Sequence, residues 1–323
     1  MNMNKTTLCR WIAAALLAAP AWVHAADGRV VRVIVPYSPG GNIDTMGRLF
    51  SKKMAEILHE TWVVENRSGA NGVIGTNAVA HAPADGSVIL FSGEVHAMVP
   101  LFVKNVPYDP IKDFQPIARL ASAPLVFVAN PAQVKANNLA DLVKDIKVEP
   151  DKYRFAISGS GTSPQVGAEK FKAQTGTDVM IVNYRGTGPA ILDVVGGHVN
   201  LMMLAPPVAM QQVRGGKLKA LAVASDKPFH GAPGVPTSTE SGLPGFEVGT
   251  SFGYWGPKNL SKEMLERYSA AARQAAQDPA MIAAVREIGA EPLWESPEAF
   301  AASLEAEYRS NRDMLQKAGV KPE

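Results

Sequence analysis

Short runs of β-branched and aliphatic residues alternate with amphipathic stretches along most of the chain. The run RVVRVIVPY, residues 29–37, ends in turn residues and predicts a β-strand. From residue 46 to 58 apolar side chains recur at helical spacing, which predicts a helix with one apolar face. Further strands are predicted at TWVVENR, SVILFSG, PLVFVAN, YRFAIS, VMIVNYR, VNLMML, LKALAVAS and VGTSFGYWGP. Strands that alternate with helices predict an α/β fold with mixed, mostly parallel sheets flanked by helices.

Residues 226–247 interrupt this alternation, because they are rich in proline and glycine and show no periodicity. We interpret the interruption as a passage between two lobes, with a first crossing predicted within residues 119–127. The length of 323 residues exceeds the ~150 residues of an average domain, which also favours two lobes. The prediction is a ligand cleft between a discontinuous lobe 1, residues 26–123 plus 226–323, and a continuous lobe 2, residues 124–225.

The N-terminal 25 residues have the pattern of a secretory signal peptide. Lys5 and Arg10 form a positively charged region before the apolar stretch WIAAALLAAP, and VHA at residues 23–25 resembles a cleavage site. This stretch is shorter than the roughly 20 residues that a membrane-spanning helix needs, which argues against the alternative of an uncleaved anchor. The sequence therefore predicts export to the periplasm of a bacterium with two membranes.

Removal of this segment leaves a chain without cysteine and without net charge. Cys9 is the single cysteine and lies inside the segment. The count of Lys and Arg falls from 32 to 30 because Lys5 and Arg10 also leave, and it then equals the 30 Asp and Glu. A neutral chain has no basic field to attract nucleic acid. A chain without thiols has no disulfide and no cysteine-bound metal.

Three polar, glycine-rich turns follow predicted strands, at the sheet edge where open parallel sheets bind ligands. They are SPGGNID at 38–44, SGE at 92–94 and SGSGTS at 158–163. The first and third lead into predicted helices, whose N-termini offer unpaired N–H groups and a positive dipole end. Glycines let an anion approach the backbone, and hydroxyl and amide side chains add neutral donors. The candidate ligand-binding residues in and around these turns are Tyr37, Ser38, Gly40, Gly41, Asn42, Asp44, Ser92, Ser158, Gly159, Ser160 and Thr162.

Two such turns that face each other across a cleft would hold one anion from both lobes. Hydrogen bonds to a charged group contribute about 1.5–3 kcal/mol each. Several together reach the roughly −8 kcal/mol of micromolar affinity. The alternative is ordinary helix capping by Asn42 or Asp44, with the glycines forming the turn. Two comparable turns in different lobes favour binding over capping.

The motifs of common enzymes are not evident. SGSGTS lacks the spacing of a nucleophile elbow, and GGNIDTMG matches neither nucleotide-binding glycine pattern. A serine hydrolase using Ser158 or Ser160 would need a nearby base, and His96 is the only histidine predicted near the cleft. His96 is therefore a candidate ligand contact, with a structural histidine as the alternative. Tyr184 closes over the ligand or packs at the rim. We predict no enzymatic activity, and no catalytic residue, metal or cofactor.

Five motifs occur in the order, and near the spacing, of a known family. They are PYSPGGNIDTMGR, VVENRSGANGVIGTNAVA, VPYDPIKDFQPIA, RFAISGSGTS and NYRGTGPAILDVVGGHVNLM. The chain resembles the periplasmic solute receptors of the tripartite tricarboxylate transporters, the Bug receptors. The resemblance implies a two-lobed type II periplasmic binding-protein fold, in which the turns at 38–44 and 158–163 grip one ligand carboxylate. It also implies the large and small membrane subunits of a transporter as partners; a monomer is our default expectation.

The chain departs from that family in and after the strand VNLMML. Members often have an acidic residue within and just after this strand, where this chain has Asn200 and Leu204 followed by the apolar APPVAM. Gln165 stands where a histidine often follows the serine-rich turn. We hypothesise that Leu204 contacts the ligand and that an apolar or aromatic mono- or dicarboxylate is preferred to an amino acid. The alternative for these residues is that they belong to the core and do not contact the ligand. The alternatives for the function of the protein are a serine hydrolase and a receptor that serves a sensor kinase.

Overall fold

The computed structural model describes residues 28–322, and their strands form two separate sheets. The predicted signal peptide of residues 1–25 lies outside the described residues. In chain order the strands are β1 (Val30–Val35), β2 (Thr61–Asn66), β3 (Val88–Ser92), β4 (Phe114–Pro124), β5 (Val126–Ala129), β6 (Arg154–Ile157), β7 (Met180–Asn183), β8 (Leu201–Leu204), β9 (Lys219–Val223), β10 (Gly249–Pro257) and β11 (Glu291–Glu295). Lobe 1 has the order β11-β4-β10-β3-β1-β2, and lobe 2 has the order β7-β6-β8-β5-β9.

Helices flank both sheets. In chain order they are α1 (Asn42–Leu58), α2 (Val73–Ala80), α3 (Val95–Met98), α4 (Leu139–Val148), α5 (Ser163–Thr175), α6 (Thr187–Gly196), α7 (Pro206–Arg214), α8 (Lys262–Gln277), α9 (Pro279–Glu287) and α10 (Pro297–Lys317). Within residues 28–322, none of these helices is long and apolar enough to cross a membrane.

The predicted two-lobed α/β architecture is confirmed, but antiparallel pairing is more frequent than expected. Parallel pairing joins β1 to β2 and β3, and β6 to β7 and β8. The other five strand pairs in the described residues are antiparallel. Four of them involve β5 or β10, and the fifth joins β11 to β4. The reason is that β10, which brings the chain back to lobe 1, runs antiparallel between β3 and β4, and that β5, which enters lobe 2, runs antiparallel between β8 and β9.

The two crossings between the lobes lie side by side. The first joins β4 to β5 at Leu125, and the second passes from Val248 to Gly249 at the start of β10. The N–H of Leu125 donates to the carbonyl of Val248 at 2.8 Å. Gly249 then pairs with Pro124 in the antiparallel ladder of β10 and β4. These hydrogen bonds tie the two crossings into one hinge.

The structure corrects the predicted return to lobe 1, because residues 226–248 pack on lobe 2. Leu243, Phe246 and Val248 belong to the same buried cluster as Phe127 of β5. The N–H of Val223 donates to the carbonyl of Pro236 at 2.7 Å. A segment without periodicity carries no signal about the sheet that it covers, so the sequence placed the return crossing too early.

The lobe 1 sheet is buried on both faces, which explains the continuous apolar runs of its strands. Val33 belongs to a cluster with Phe50 of α1 and residues of α8 on one face. Ile34 belongs to a second cluster with Trp255 and with Phe300 of α10 on the other face. Both faces of β1 are therefore fixed, and the turn after β1 is held at the edge of the sheet that faces lobe 2.

Helix α2 approaches the turn after β1 closely at Gly75. A Cβ atom there would lie 2.6 Å from the carbonyl oxygen of Arg67 and 2.9 Å from Cα of Pro36, and neither backbone atom can rotate away. We expect Gly75→Ala to lower the free energy of unfolding by about 1–3 kcal/mol, as overpacking does. Urea titration measures this change. Gly188→Ala is the control, since a Cβ there meets nothing within 4 Å; equal stability of both variants would contradict the prediction.

Candidate ligand-binding cleft

A cavity of about 420 Å³ lies between the two lobes beside the hinge. Lobe 1 contributes the turn after β1 and residues of α3 and β10. Lobe 2 contributes the turn after β6, the start of α6, and the end of β8 with the first turn of α7. Much of the lining thus comes from strand ends and helix N-termini, the position at which open sheets place ligands.

The turn after β1 presents the N-terminus of α1 to the cavity. Gly41 is the N-cap residue, and no side chain caps the helix there. The Asp44 carboxylate instead accepts hydrogen bonds from the N–H of Gly40 at 2.9 Å, from Arg48 at 3.1 Å and from Asn66 at 2.8 Å. Burial opposes ionisation of Asp44, but these hydrogen bonds outweigh it and hold the pKa of Asp44 below its usual value. The negative charge of Asp44 is therefore already satisfied by its own neighbours.

The turn after β6 presents the N-terminus of α5. Thr162 is the N-cap residue, but its hydroxyl donates to the carbonyl of Gly159 at 2.7 Å and does not cap the helix. The N–H of Gly161 donates to Oε1 of Gln165 at 2.7 Å. No acidic side chain lies in the first turn of α5, so the positive end of this helix is not neutralised locally. Ser158 and Thr162 both line the cavity.

One wall of the cavity is apolar. Met203, Leu204 and Val208 line it from lobe 2, and Phe252 lines it from β10. Leu204 and Phe252 are only 2% and 3% exposed. Among the described residues that line the cavity there is no lysine, arginine or histidine. An anion bound here would therefore be held by neutral donors and helix dipoles.

The structure brings together about half of the predicted site residues, namely Tyr37, Gly41, Asn42, Asp44, Ser158, Thr162 and Leu204. Ser38 and Gly40 lie on the exposed side of the turn after β1 and do not line the cavity. Gly159 and Ser160 belong to the turn after β6 without lining the cavity, and the Ser160 hydroxyl accepts a hydrogen bond from Asn183 at 3.1 Å. Both turns contribute, but each contributes only part of its length.

His96 lies in the core of lobe 1 and does not line the cleft. It is 1% exposed, its Nδ1 is 2.8 Å from the carbonyl of Gly93, and its ring packs edge-on against Trp255 with centroids 4.5 Å apart. Burial lowers the pKa of His96 to about 4, so the ring is neutral. His96 is therefore a structural histidine and not a ligand contact of this cavity, because the short helix α3 turns the side chain inward.

Ser92 and Tyr184 also lie outside the cavity. Ser92 is fully buried behind the half-buried ring of Tyr37, and its hydroxyl neighbours the buried hydroxyl of Tyr37. Burial raises the pKa of Tyr37, which stays neutral. The Tyr184 hydroxyl donates to Asp193 of α6 at 2.7 Å, and this contact fixes the ring against its own helix. Ser92 supports a cleft residue from behind, whereas Tyr184 serves the packing of lobe 2.

A contact across the hinge, between Ser163 and Thr250, was not predicted from the sequence. Their hydroxyl oxygens are 3.1 Å apart, and both residues line the cavity. Ser163 opens α5, and Thr250 is the second residue of β10. The contact ties the N-terminus of α5 to the hinge strand. Its only signal in the sequence is that Thr250 follows the long irregular segment, which does not identify a partner.

A cluster of polar residues, centred on Glu94, lies between the lobes outside the cleft. Its carboxylate accepts hydrogen bonds from the N–H and the hydroxyl of Ser251 in β10. Glu94 is 6% exposed, and burial followed by the charge of Glu307 raises its pKa to about 7. A cavity of about 190 Å³ adjoins it, lined also by Lys170 and Glu247. Through Ser251, Glu94 contacts the strand that begins at the hinge.

Comparison with known proteins identifies relatives over almost the whole chain. The family model described as tripartite tricarboxylate transporter family receptor matches residues 46–320. BugT of Bordetella pertussis is 32% identical over 99% of this chain and 99% of its own length. The periplasmic binding protein BugD superposes with a TM-score of 0.77 and 33% identity over 91% of this chain and 99% of its own. The R. palustris protein Rpa4515, solved with adipate, gives a TM-score of 0.80 and 28% identity over 91% and 99% of the two chains.

Proposed function

The chain belongs to the tripartite tricarboxylate transporter receptor family, as its motifs indicated, and we propose that it is a periplasmic receptor for a small organic carboxylate. Such a receptor closes its lobes on the ligand and presents it to the large and small membrane subunits of a transporter. The signal-peptide pattern of residues 1–25 supports the periplasmic location. The adipate bound in Rpa4515 supports a carboxylate as the ligand.

The observation that carries this proposal is the pairing of two uncapped helix N-termini across one cleft. Helix α1 of lobe 1 and helix α5 of lobe 2 both begin at the cavity, and neither has a side-chain cap. N–H groups that lack a capping side chain favour an anion. Binding to both lobes requires the closed state, so the ligand shifts the equilibrium between open and closed forms.

The apolar wall narrows the class of carboxylate. Leu204 and Val208 offer no hydrogen bond to a polar ligand body, and Asp44 is the only acidic residue among the described residues of the lining. Because the Asp44 carboxylate already has its own partners, no free carboxylate remains for a ligand ammonium group. We propose that the ligand body is apolar or aromatic and that amino acids bind less tightly.

A binding role accounts for the cleft better than hydrolysis does. The hydrolase alternative needs a base beside Ser158 or Ser160. His96, the candidate base in the sequence, packs among aromatic side chains in the core of lobe 1. Turnover of an ester substrate that is lost in Ser158→Ala would contradict the binding role.

A thermal-shift screen of the mature chain tests the proposal. The panel contains citrate, malate, glutamate, nicotinate, benzoate, hexanoate and terephthalate, each with its uncharged amide. A ligand that binds only the folded state raises stability by RT ln(1 + [L]/Kd), so millimolar ligand with micromolar Kd adds about 4 kcal/mol. We expect a shift with at least one apolar carboxylate and none with its amide. The absence of a shift with every carboxylate would overturn the proposed function.

Two substitutions test the proposed turns with the ligand from that screen. We expect Ser158→Ala to weaken binding at least about 10-fold, since a hydrogen bond to a charged group contributes about 1.5–3 kcal/mol. Gly41→Val should have a similar effect by covering the start of α1, and it is not strained because its nearest neighbour lies 3.7 Å away. Ser38→Ala is the matched control, because Ser38 lies in the same turn but outside the cavity. Isothermal titration measures all three affinities; unchanged affinity in the first two would remove both turns from the site.

A further inference from the structure

The wall formed by the end of β8 and the start of α7 differs from the other walls of the cleft in its backbone as well as its side chains. Leu204, Ala205 and Val208 line the cavity here, and none carries a polar side-chain atom. Helix α7 begins between them, with Ala205 as an N-cap residue that cannot cap through its side chain. The helix therefore reaches the cleft at the position where helices usually offer donors.

Two prolines remove two of those donors. Pro206 and Pro207 occupy the first two positions of α7, and proline has no N–H. By contrast, α1 opens with Asn42, Ile43 and Asp44, each of which has an N–H. The start of α7 thus offers an anion two fewer N–H donors than the start of α1, although it borders the same cavity as the starts of α1 and α5.

A second ionised carboxylate on the ligand would have poor surroundings along this wall. Leu204 is 2% exposed, so a charge placed against it would lose its water without gaining a donor or a cation. Besides α5 and α7, the helix of lobe 2 whose start borders the cavity is α6, where Thr187 and Gly188 are exposed and an anion would keep its hydration. Exposure weakens the attraction of a helix terminus for an anion.

We infer that the ligand carries a single carboxylate on an apolar body, aliphatic or aromatic, and that Leu204 and Pro206 exclude a second charge. The carboxylate lies between the uncapped starts of α1 and α5, and the apolar body lies against the β8–α7 wall. This inference rests on the proposed function and makes it narrower, because a carboxylate receptor of the same fold can equally take dicarboxylates.

Titration calorimetry with matched acid pairs tests it on the mature chain. The pairs are benzoate and terephthalate, hexanoate and adipate, and cyclohexanecarboxylate and its 1,4-dicarboxylate, all at pH 8, where every carboxyl is ionised. We expect the monoacid to bind at least 10-fold more tightly in each pair that binds. Equal or tighter binding of the diacid would overturn the inference while leaving the proposed function intact. Binding of neither member of any pair, nor of any other carboxylate, would overturn both.

A second test looks for a gain in the relative affinity for the diacid, which a variant that fails to fold cannot produce. Pro206→Ala restores one N–H at the start of α7, so we expect the ratio of diacid to monoacid affinity to rise at least fivefold. Pro164→Ala is the matched control, since Pro164 lies in the first turn of α5 and also lines the cavity. It should strengthen both acids alike and leave the ratio unchanged. An unchanged ratio in Pro206→Ala, or an equal rise in Pro164→Ala, would overturn the role of this wall.

Discussion

Replacement of Leu204 by Asp is expected to lower the affinity for an apolar carboxylate by more than 100-fold. Leu204 is buried and lines the cleft, so the new carboxylate would share one cavity with that of the ligand. Like charges about 8 Å apart repel by about 2 kcal/mol at an effective dielectric constant of about 20. The loss of apolar contact adds about 1 kcal/mol. The sum of about 3 kcal/mol corresponds to more than 100-fold in Kd, which titration calorimetry measures.

Leu204→Asn separates the charge from the loss of the apolar surface. Asn has the shape of Asp without its charge, so we expect a loss of about 10-fold or less. Urea titration of both variants confirms that the lobes remain folded. Losses of equal size in the two variants would contradict a contribution from charge. Leu204→Asp should also improve the relative affinity for a carboxylate that carries an ammonium group, because the variant supplies the missing counter-charge.

A rise in pH from 5 to 8 is expected to destabilise the protein, and Glu94→Gln is expected to remove most of this loss. Burial and the charge of Glu307 raise the pKa of Glu94 from 4.5 to about 7. The folded protein therefore holds this proton more tightly than the unfolded chain does. Its contribution to stability is complete below pH 4.5 and is lost as the pH rises through about 7, an effect of up to about 3 kcal/mol. Glutamine keeps an acceptor for Ser251 without ever ionising.

Urea titrations at pH 5, 6, 7 and 8 measure this dependence. The charged groups that face Glu94 come from four elements: Arg119 of β4, Lys170 of α5, Glu247 at the return crossing and Glu307 of α10. Glu305→Gln is the control, because Glu305 lies on the same helix as Glu307 but is paired with Arg309 and does not line the cavities beside Glu94. A slope in Glu94→Gln as steep as that of the unaltered chain would show that another group carries the pH dependence.

The sequence predicts those strands whose residues are β-branched and buried on both sides, such as β1 and β3. It does not predict β4 or β11. The β4 sequence FQPIARLASAP mixes prolines, small residues and an arginine, and it forms a strand because it lies between β10 and β11 in the sheet. The β11 sequence EPLWE contains a proline and is an edge strand, where a missing N–H costs no ladder bond. In both cases tertiary pairing overrides weak local preference.

The residues of the site likewise fall into those that a local motif predicts and those that distant parts of the chain bring together. Glycine-rich turns before helices reveal Gly41, Ser158 and Thr162 because their signal is local. The sequence predicts β10 as a strand but not its place between β3 and β4, and this distant pairing brings Thr250 and Phe252 to the cleft. For His96 the local signal is misleading. The residue follows a turn near the cleft, but the next helix turns its side chain toward the core, where it packs against Trp255.

The position of β10 in the lobe 1 sheet also determines the order in which the lobes can fold. Lobe 2 has all its strands between residues 126 and 223, whereas β10 lies between β3 and β4 and enters the sheet only after residue 249 is available. Until then the facing edges of β3 and β4 expose unpaired N–H and C=O groups that can pair with another chain. Pairings so distant in sequence form slowly. We therefore expect lobe 2 to fold first and aggregation of the newly made chain to begin at the open gap in lobe 1.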